Sequence, residues 1–436
     1  MWADRRTGAT RHGASLVPIE RAAIIAGSAV TRISRRTFVA SLGHALAWSA
    51  VASAAPRAPA RPWTRPAAGD PRYFFQIMLG GGIDAIYSFD PKERAEVEPR
   101  VDVPYASKDI VTAGDVRIGP HVRDLAPWAD RFTIVRGVST RSAAHIPAMA
   151  QLIGGKLGRA AYEVNPTLCE LIGVRRDSQA VAAVAVGGAT DGVGPRELSH
   201  PTMMQLLALA PEELAACVRV LEARRRDLAR GPTDERLATT LDALDDTLRL
   251  LGRLEALPRP DFFKEDWSGK GDMGRMFSMA FQMTLWLFEH DLAKSVRMFF
   301  RRWDTHFHNT KNQTKESLAF FPALARFLRE LEARRLLDAT LVMMGSELGR
   351  YPELNPAQGK HHLPEASFVL MGRRLRPGVF GATGRRMEAR PVDLRTGRPT
   401  RGGAMIDLDD LGATVLAAAG VDPARTGYHG RPLGVL

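Results

Sequence analysis

The fold of this chain is constrained most by an alternation of short apolar runs with longer amphipathic segments. The apolar runs have the length and composition of buried strands: RYFFQIMLG, DRFTIVRGVS, AVAAVAVGG, AKSVRMFF, ATLVMMGSE and EASFVLMG. Segments with helical periodicity lie between them, for example AAHIPAMAQLIGGK and ESLAFFPALARFLRELEARRLLD. Because strands that alternate with helices are joined by crossovers, the pattern predicts an α/β protein with one mainly parallel sheet covered on both faces.

Residues 203–257 interrupt this alternation with almost unbroken amphipathic helix. The two arms read MMQLLALAPEELAACVRVLEARRRDLAR and DERLATTLDALDDTLRLLGRLEALP, and Gly231 and Pro232 mark the turn between them. Apolar residues recur at helical spacing in both arms. We predict a helical hairpin insertion that packs beside the sheet and helps to wall one side of a ligand cleft.

The amino-terminal region has the three-part order of a signal peptide. Arg35 and Arg36 precede an apolar run over residues 39–54 that ends in the small residues ASA. The run is too short to span a bilayer as a stable helix. The paired arginines before Phe38 resemble the twin-arginine export signal. We predict a signal peptide over residues 1–54, recognition by the twin-arginine translocase and a periplasmic or extracellular location; an ordinary amphipathic helix is the alternative.

A linker rich in alanine, proline and arginine over residues 55–71 precedes one predicted domain, residues 72–436. With 45% hydrophobic and 25% charged residues the chain can bury a core, and no later stretch is long and apolar enough for a membrane span. The formal charge of +12 comes mostly from arginines dispersed over helices, which is typical of solvated faces, so we expect no nucleic-acid partner. Cys169 and Cys217 lie at apolar helical positions and are expected to be buried thiols.

Polar residues follow the predicted strands at the points where the strands end. In a parallel sheet the carboxyl ends of the strands meet at one edge, where ligands bind. The residues concerned are Asp84, Asp304, His306, Glu347, Arg350, His361 and His362. Because carboxylates and imidazoles bind divalent cations, they predict a site for one or two ions of Zn²⁺, Ca²⁺, Mg²⁺ or Mn²⁺. Taken singly, each residue has a plainer interpretation as a helix cap, an Asx-turn or a surface histidine.

The same stretches resemble a large bacterial family of twin-arginine-exported proteins of unknown function within the alkaline-phosphatase and sulfatase superfamily. The resemblance covers most of residues 73–436 and is carried by LGGGIDAIYSFDP, WDTHFHN, GSELGRYPELN, GKHHLPEASFVLMGRRLRPGVFGATG and DLGATVLAAAGVDP. It implies an alkaline-phosphatase-like three-layer α/β/α sandwich. It names no substrate.

The resemblance also implies roles for individual residues. Asp84, Asp304, His306, Glu347 and either His361 or His362 stand where metal ligands of the superfamily stand. Metal-bound members use such ligands to polarise a phosphate or sulfate ester and to activate a hydroxyl nucleophile. By the same resemblance, Arg141 and Arg350 would neutralise the non-bridging oxygens of a small anionic ester.

Three departures from the superfamily pattern qualify these roles. Two-metal members read Asp-His where this chain has Glu347 and Leu348, so a ligand of the second ion is missing. The Arg-Asp-His near the last ligand is replaced by Lys360 and two histidines. The nucleophile is open as well, since Ser139, Thr140 and Ser142 all precede His145. This Ser/Thr run stands at a helix start, where backbone N–H groups favour anions, but it could equally be a helix N-cap.

Two classes of function follow from the sequence. One is a metal-dependent hydrolase of phosphate or sulfate esters with Ser142 or Thr140 as nucleophile and Arg141, His145 and Arg350 as further catalytic residues. The other is a non-catalytic binding or structural protein that keeps the fold. A true sulfatase is disfavoured because neither cysteine stands in the Cys/Ser-x-Pro-x-Arg context of a formylglycine precursor. A dinucleotide site or a P-loop is disfavoured because the glycines at 80–82 lack the required spacing and no Gly-Lys-Ser/Thr occurs.

Overall fold

The computed structural model describes residues 69–157, 166–174, 178–187, 197–231, 235–262 and 264–436. The predicted signal peptide and nearly all of the linker lie outside these residues. The strands are β1 (Tyr73–Gly80), β2 (Val111–Ala113), β3 (Val116–Ile118), β4 (Thr133–Ser139), β5 (Val181–Gly187), β6 (Glu197–Ser199), β7 (Ala293–Arg301), β8 (Thr340–Gly345), β9 (Gly349–Arg350), β10 (His362–Leu363), β11 (Glu365–Met371) and β12 (Gly378–Phe380). The α-helices are α1 (His145–Gly154), α2 (Leu168–Gly173), α3 (His200–Ala208), α4 (Pro211–Leu228), α5 (Glu235–Ala256), α6 (Gly271–Glu289), α7 (Asn309–Ala333) and α8 (Leu408–Ala418).

Within the described residues, eight strands form the central sheet in the order β12-β4-β11-β8-β1-β7-β5-β6. All of its neighbouring pairs are parallel except those of β11, which runs antiparallel to β4 and β8. The mainly parallel sheet predicted from the sequence is therefore confirmed. β1 lies between β7 and β8, so the carboxyl ends of these three strands are adjacent at one edge.

Helices cover both faces of the sheet. On one face Phe74 and Met78 of β1 belong to a core cluster that includes Leu152 of α1. On the other face the ring of Phe75 packs against Phe281 of α6, at 6.3 Å between ring centroids, and against rings of the neighbouring helical layer. All eight residues of β1 are buried. This arrangement of helices, sheet and helices is the predicted three-layer α/β/α class.

The helical insertion forms as predicted, with α4 and α5 packed against each other and α5 against β5. Near the end of α5, Arg253 donates hydrogen bonds to the carbonyl oxygens of Ser178 (2.5 Å) and Asp291 (2.7 Å). These residues precede β5 and β7, so this end of the hairpin is anchored at the amino ends of the strands. A role of the hairpin in walling a cleft stays a prediction. No helix of the described residues is both long enough and apolar enough to cross a bilayer.

The loops at the carboxyl ends of β1 and β7 are held in close contact by the backbone. The N–H groups of Arg302 and Trp303 donate to the carbonyl oxygen of Gly80, at 3.1 and 3.0 Å. Gly81 has a φ of +107°, and a Cβ added there would lie 2.3 Å from the backbone N of Asp304. Only glycine fits this approach without a shift of the chain. The loop after β7 is thereby brought over the end of β1, which places Asp304 at the centre of the sheet edge.

Candidate metal centre

Four side chains converge at this edge: His145, Asp304, His306 and His362. Each offers one nitrogen or oxygen atom, and these atoms all lie within 4.8 Å of one another. His145 is the first residue of α1, Asp304 and His306 lie in the loop after β7, and His362 begins β10. The sequence predicted Asp304, His306 and one of two adjacent histidines as ligands at this place, and it named His145 among the catalytic residues. The structure brings His145 into the same cluster. The signal for its position is that His145 follows β4 by only a short loop, as the other three follow or adjoin strands.

Two of the histidines are oriented by hydrogen bonds from behind. His145 Nδ1 donates to Glu347 Oε1 at 2.9 Å, and His362 Nδ1 donates to the carbonyl oxygen of Ala143 at 2.7 Å. An imidazole whose proton is held on Nδ1 presents the lone pair of Nε2 on its other side. The Nε2 atoms of both rings face Asp304. This is the arrangement in which histidines ligate metal ions in proteins.

Four contacts among the inward-facing atoms are close to the distances between ligands around one ion. His306 Nε2 lies 2.9 Å from His362 Nε2, and Asp304 Oδ1 lies 3.1 and 3.3 Å from these two atoms. Asp304 Oδ2 lies 3.3 Å from His145 Nε2. Ligand atoms about 2.0 to 2.1 Å from a tetrahedral zinc ion are separated from one another by about 3.3 to 3.4 Å. His145 Nε2 is also buried without an aligned hydrogen bond in the described part of the chain, so the donor set fits a divalent ion.

The charges of the four groups suit a cation as well. The nearby carboxylates of Asp304 and Glu347 raise the pKa of His145 to about 9, so in the absence of a metal ion a proton is the cation held there. Burial alone would raise the pKa of Asp304, but the nearby His145 ring and Arg350 guanidinium outweigh it and hold that pKa well below its usual range. Burial lowers the pKa of His306, which favours the neutral ring. The centre thus combines one carboxylate with imidazoles that can each offer a lone pair.

Asp84 lies outside this cluster. Its Oδ2 atom accepts hydrogen bonds from Lys360 Nζ at 2.7 Å and from Asn309 Nδ2 at 2.9 Å. Asp84 and Lys360 are both fully buried, and Lys360 Nζ is also 3.3 Å from Asp102 Oδ2. The carboxylate that the family resemblance assigns to a metal ion is therefore paired with an ammonium group of the protein itself. This pairing corrects the expectation that Asp84 joins Asp304 in one ligand cluster.

Glu347 and His361 also lie outside the four-residue cluster. Glu347 is buried behind His145, where its Oε1 accepts the Nδ1–H of that ring and the backbone N–H of Gly81 at 2.8 Å. It orients a candidate ligand and does not itself belong to the four. His361 is exposed, and its ring centroid is 6.1 Å from that of His306. Of the two adjacent histidines, His362 is the one in the cluster.

Arg350 connects the loops of the site. Its guanidinium is buried and donates to the carbonyl oxygens of Gly82 (3.1 Å), Lys360 (2.9 Å) and Trp303 (3.0 Å), to that of Gly81 and to Asp304 Oδ1 (2.6 Å). These contacts use its N–H groups on protein acceptors. Arg350 therefore holds Asp304 in place, and its expected contact with substrate oxygens stays a prediction.

The loop before His145 carries the other predicted catalytic residues. Thr140 is buried, and its hydroxyl lies 3.1 and 3.2 Å from the carbonyl oxygens of Pro364 and Ser142. Ser142 is partly exposed and accepts the backbone N–H of Ala144 at 3.2 Å. Arg141 is exposed, and its guanidinium lies 2.5 Å from Asp407 Oδ2. Of the two hydroxyls proposed as nucleophile, that of Ser142 is the one that reaches solvent.

Three of the six non-glycine residues with positive φ in the described part of the chain lie in the loops that carry the histidines. Arg141, His308 and Gln358 have φ values of +53°, +48° and +57°, which residues other than glycine rarely adopt. Each lies in a loop leading to or from a histidine of the cluster. A Cβ added to Gly359 would lie 1.8 Å from the carbonyl oxygen of His306. Such strain persists only where the surrounding contacts over-determine it, and it clusters at functional sites.

Exposed apolar side chains adjoin the cluster. Ile146, next to His145, is 54% exposed, and Phe307, next to His306, is 66% exposed. The Asp304 side chain is itself 45% exposed, so solvent reaches its carboxylate. The site consequently has an open polar centre, and two of its histidines are each followed in sequence by an exposed apolar residue.

Comparisons with known proteins give one match to a family model and a set of similar solved structures. A family model described as "Protein of unknown function (DUF1501)" matches residues 270–435. That match includes Asp304, His306 and His362 but not His145. A search of curated proteins found no match.

The solved structures that resemble this chain include members of the alkaline-phosphatase superfamily. A protein of that superfamily from Vibrio parahaemolyticus has 9% identity, with 90% of this chain and 77% of that chain covered and a TM-score of 0.40. The lipoteichoic acid synthase LtaP from Listeria monocytogenes has 9% identity, coverage of 83% and 75% and a TM-score of 0.40. The C-terminal periplasmic domain of EcEptC from Escherichia coli, in complex with Zn, has 8% identity, coverage of 84% and 87% and a TM-score of 0.38. The activities and bound metals named for these proteins are properties of those proteins and are not assigned to this chain.

Proposed function

We propose that this protein is a metal-dependent hydrolase of phosphate or sulfate esters with one divalent ion held by His145, Asp304, His306 and His362. The observation that carries the proposal is the orientation of His145 and His362, whose Nδ1 atoms are held by Glu347 and Ala143 so that their Nε2 atoms face Asp304. Three imidazoles and one carboxylate favour Zn²⁺ or another transition metal over Ca²⁺ and Mg²⁺, which prefer oxygen ligands.

A bound divalent ion would polarise the ester and lower the pKa of a water molecule. The protein's own residues supply the rest of the chemistry. Glu347 and Ala143 keep the rings of His145 and His362 fixed, and Arg350 keeps the Asp304 carboxylate in place at 2.6 Å. Ser142 offers a partly exposed hydroxyl three residues before His145. The exposed Ile146 and Phe307 offer apolar surface for the organic part of the ester, next to the ligands.

A non-catalytic binding protein is the second candidate function. The observation in its favour is that Arg350, Thr140 and Asp84, three of the predicted catalytic or ligand residues, are engaged by other protein groups. In that case the cluster would hold a metal ion without turnover. The two candidates share the metal site and differ in hydrolysis alone.

Metal titration of two adjacent histidine variants tests the site. We expect the full chain, stripped with a chelator, to bind about one equivalent of Zn²⁺ by isothermal titration calorimetry. His362→Ala should lose most of this affinity, because a ligand is removed. His361→Ala, the matched control, should bind as the unmodified protein does, since that side chain lies outside the cluster. Equal affinities of the two variants, or no binding by the unmodified protein, would contradict the proposal.

An ester-hydrolysis assay with the metal-loaded protein distinguishes the two candidate functions. p-Nitrophenyl phosphate and p-nitrophenyl sulfate would be assayed with the Zn²⁺-loaded and Mn²⁺-loaded protein and with His362→Ala. Turnover of either ester that is lost in His362→Ala supports the hydrolase. Metal binding without turnover of either ester supports the non-catalytic candidate.

We further propose that residues 1–54 direct export through the twin-arginine translocase, as the sequence predicts. A fusion of residues 1–60 to a fluorescent protein should leave the cytoplasm of a bacterial host, whereas the same fusion with Arg35→Lys and Arg36→Lys should stay inside. Export of the double-lysine fusion would remove the twin-arginine interpretation.

A further inference from the structure

We infer that Arg301 binds the anionic oxygens of the substrate's phosphate or sulfate group, an inference that rests on the proposed function. Arg301 is the last residue of β7, three residues before Asp304. It therefore lies at the same sheet edge as the candidate metal centre. The sequence did not single it out, because it is one of many arginines in a chain of formal charge +12.

The direction of the Arg301 side chain is given by its contact with α1. Its Nη2 atom lies 3.9 Å from Met149 Sδ. Met149 is four residues after His145, and residues four apart lie on the same face of a helix, about one turn of 5.4 Å from each other. The guanidinium thus lies against α1, about one turn along the helix from the candidate ligand His145.

Arg301 also differs from the other arginines of the site in having its charge uncompensated. No carboxylate of the described residues forms an ion pair with it, and its side chain is exposed. Arg302 is paired with Glu316 through two contacts of 2.8 and 3.0 Å, and Arg141 is paired with Asp407. Arg350 is buried and bonded to backbone carbonyls. Among the arginines that the structure describes at this edge, Arg301 is therefore the one placed to meet an incoming anion.

The chemistry of a guanidinium suits this role. Its planar fork matches two oxygens of a phosphate or sulfate group, and such charge-assisted bonds are stronger than neutral ones. A tetrahedral oxyanion that reaches the metal centre with one oxygen can direct others toward Arg301. Arg301 would then orient the ester and compensate its negative charge, while the four ligand residues hold the ion.

Anion binding by adjacent arginine variants tests the inference. Inorganic phosphate and inorganic sulfate would be titrated into the Zn²⁺-loaded protein, with Arg301→Gln, Arg301→Lys and the matched control Arg302→Gln. Arg301→Gln should weaken binding about tenfold or more while its Zn²⁺ affinity is unchanged. Arg301→Lys should recover part of the loss, since it restores the charge without the fork. Arg302→Gln should bind within about twofold of the unmodified protein, because Arg302 is paired with Glu316.

The outcomes distinguish this inference from the proposed function. If Zn²⁺ binds and Arg301→Gln retains full affinity for both anions, the role of Arg301 is overturned while the metal site stands. Equal losses of Arg301→Gln and Arg302→Gln would overturn it too, since a general loss of positive charge would then suffice. If no metal binds, the same anions are titrated into the metal-free protein. A loss of anion affinity in Arg301→Gln but not in Arg302→Gln then supports the inference, and an unchanged affinity of Arg301→Gln overturns it. A loss for phosphate alone, or for sulfate alone, supports the inference for that ester class.

Discussion

His145 Nδ1 and Glu347 Oε1 lie 2.9 Å apart, although 202 residues separate them in the chain. The contact joins the first residue of α1 to the loop after β8. Glu347 accepts a second hydrogen bond, from the N–H of Gly81, so its carboxylate also links the end of β1 to the site. One buried side chain thereby sets the orientation of a candidate ligand.

Replacement of this carboxylate should weaken metal binding without removing a ligand. We expect Glu347→Gln to lower the Zn²⁺ affinity about 10- to 100-fold, because partners of this kind fix the ring and raise its basicity. Glu353→Gln is the control, since Glu353 lies six residues further along the chain, beyond β9, and its carboxylate pairs with Arg386. Calorimetric titration and a thermal melt would be compared for both. An unchanged affinity for Glu347→Gln would show that His145 needs no such support.

The approach of the β1 loop to the β7 loop gives a second prediction. Gly81→Ala should destabilise the protein and displace Asp304, because the added Cβ would lie 2.3 Å from its backbone N. Gly114→Ala, in a turn with a φ of +58° and open space around it, measures the backbone cost alone, about 1 to 2 kcal/mol. We expect Gly81→Ala to exceed this by about 1 to 3 kcal/mol in urea denaturation and to lose Zn²⁺ affinity. Equal effects of both variants would mean that the loop can shift freely.

Removal of one charge from the buried pair of Asp84 and Lys360 is predicted to destabilise the protein strongly, and removal of both charges to restore much of the stability. Lys360→Met should lower the free energy of unfolding by about 3 to 5 kcal/mol, because it leaves the Asp84 carboxylate buried without its ammonium partner. The double variant Asp84→Asn with Lys360→Met should recover much of the loss. Arg117→Gln, which opens a partly exposed ion pair with Glu96, should cost less than about 1 kcal/mol. A double variant no more stable than Lys360→Met would contradict a paired-charge origin.

His121 predicts a pH dependence of stability. Burial lowers its pKa from about 6.5 to about 4. The hydroxyl of Thr314 donates to Thr310 O, so the ring donates its Nε2–H to that hydroxyl at 2.9 Å, and Nδ1 is a buried lone pair without a partner among the described residues. The folded state therefore keeps the ring neutral where the unfolded state accepts a proton. Stability from this group is full above pH 6.5 and is lost between pH 6.5 and 4, by about 3 kcal/mol in total.

The measurement compares two proteins across that range. Urea denaturation of the unmodified protein and of His121→Gln would be followed at several pH values between 7.5 and about 4. The stability of the unmodified protein should fall more steeply with decreasing pH than that of His121→Gln, since the variant lacks the titrating ring. Parallel curves would show that the ring is protonated in the folded state as readily as in the unfolded one.

Much of the fold could be predicted because it depends on local patterns. The apolar runs of β1, β7 and β8 are buried on both faces and read as buried strands in any context. What the pattern did not show is the reversed direction of β11, since an apolar run of seven residues has the same composition in either orientation. The short strands β9 and β10, only two residues each, carry no periodicity at all.

The candidate site, like the fold, was predictable from the sequence only in part. The sequence by itself determined that polar residues after parallel strands reach one edge, and this brought Asp304, His306 and a neighbouring histidine to one place. Only the tertiary structure decided which way each side chain points, because a residue two or three positions beyond a strand is no longer bound to the two-residue alternation of the sheet. Loop paths set by long-range contacts then placed His145 among the ligands, put Glu347 behind it and turned Asp84 toward Lys360.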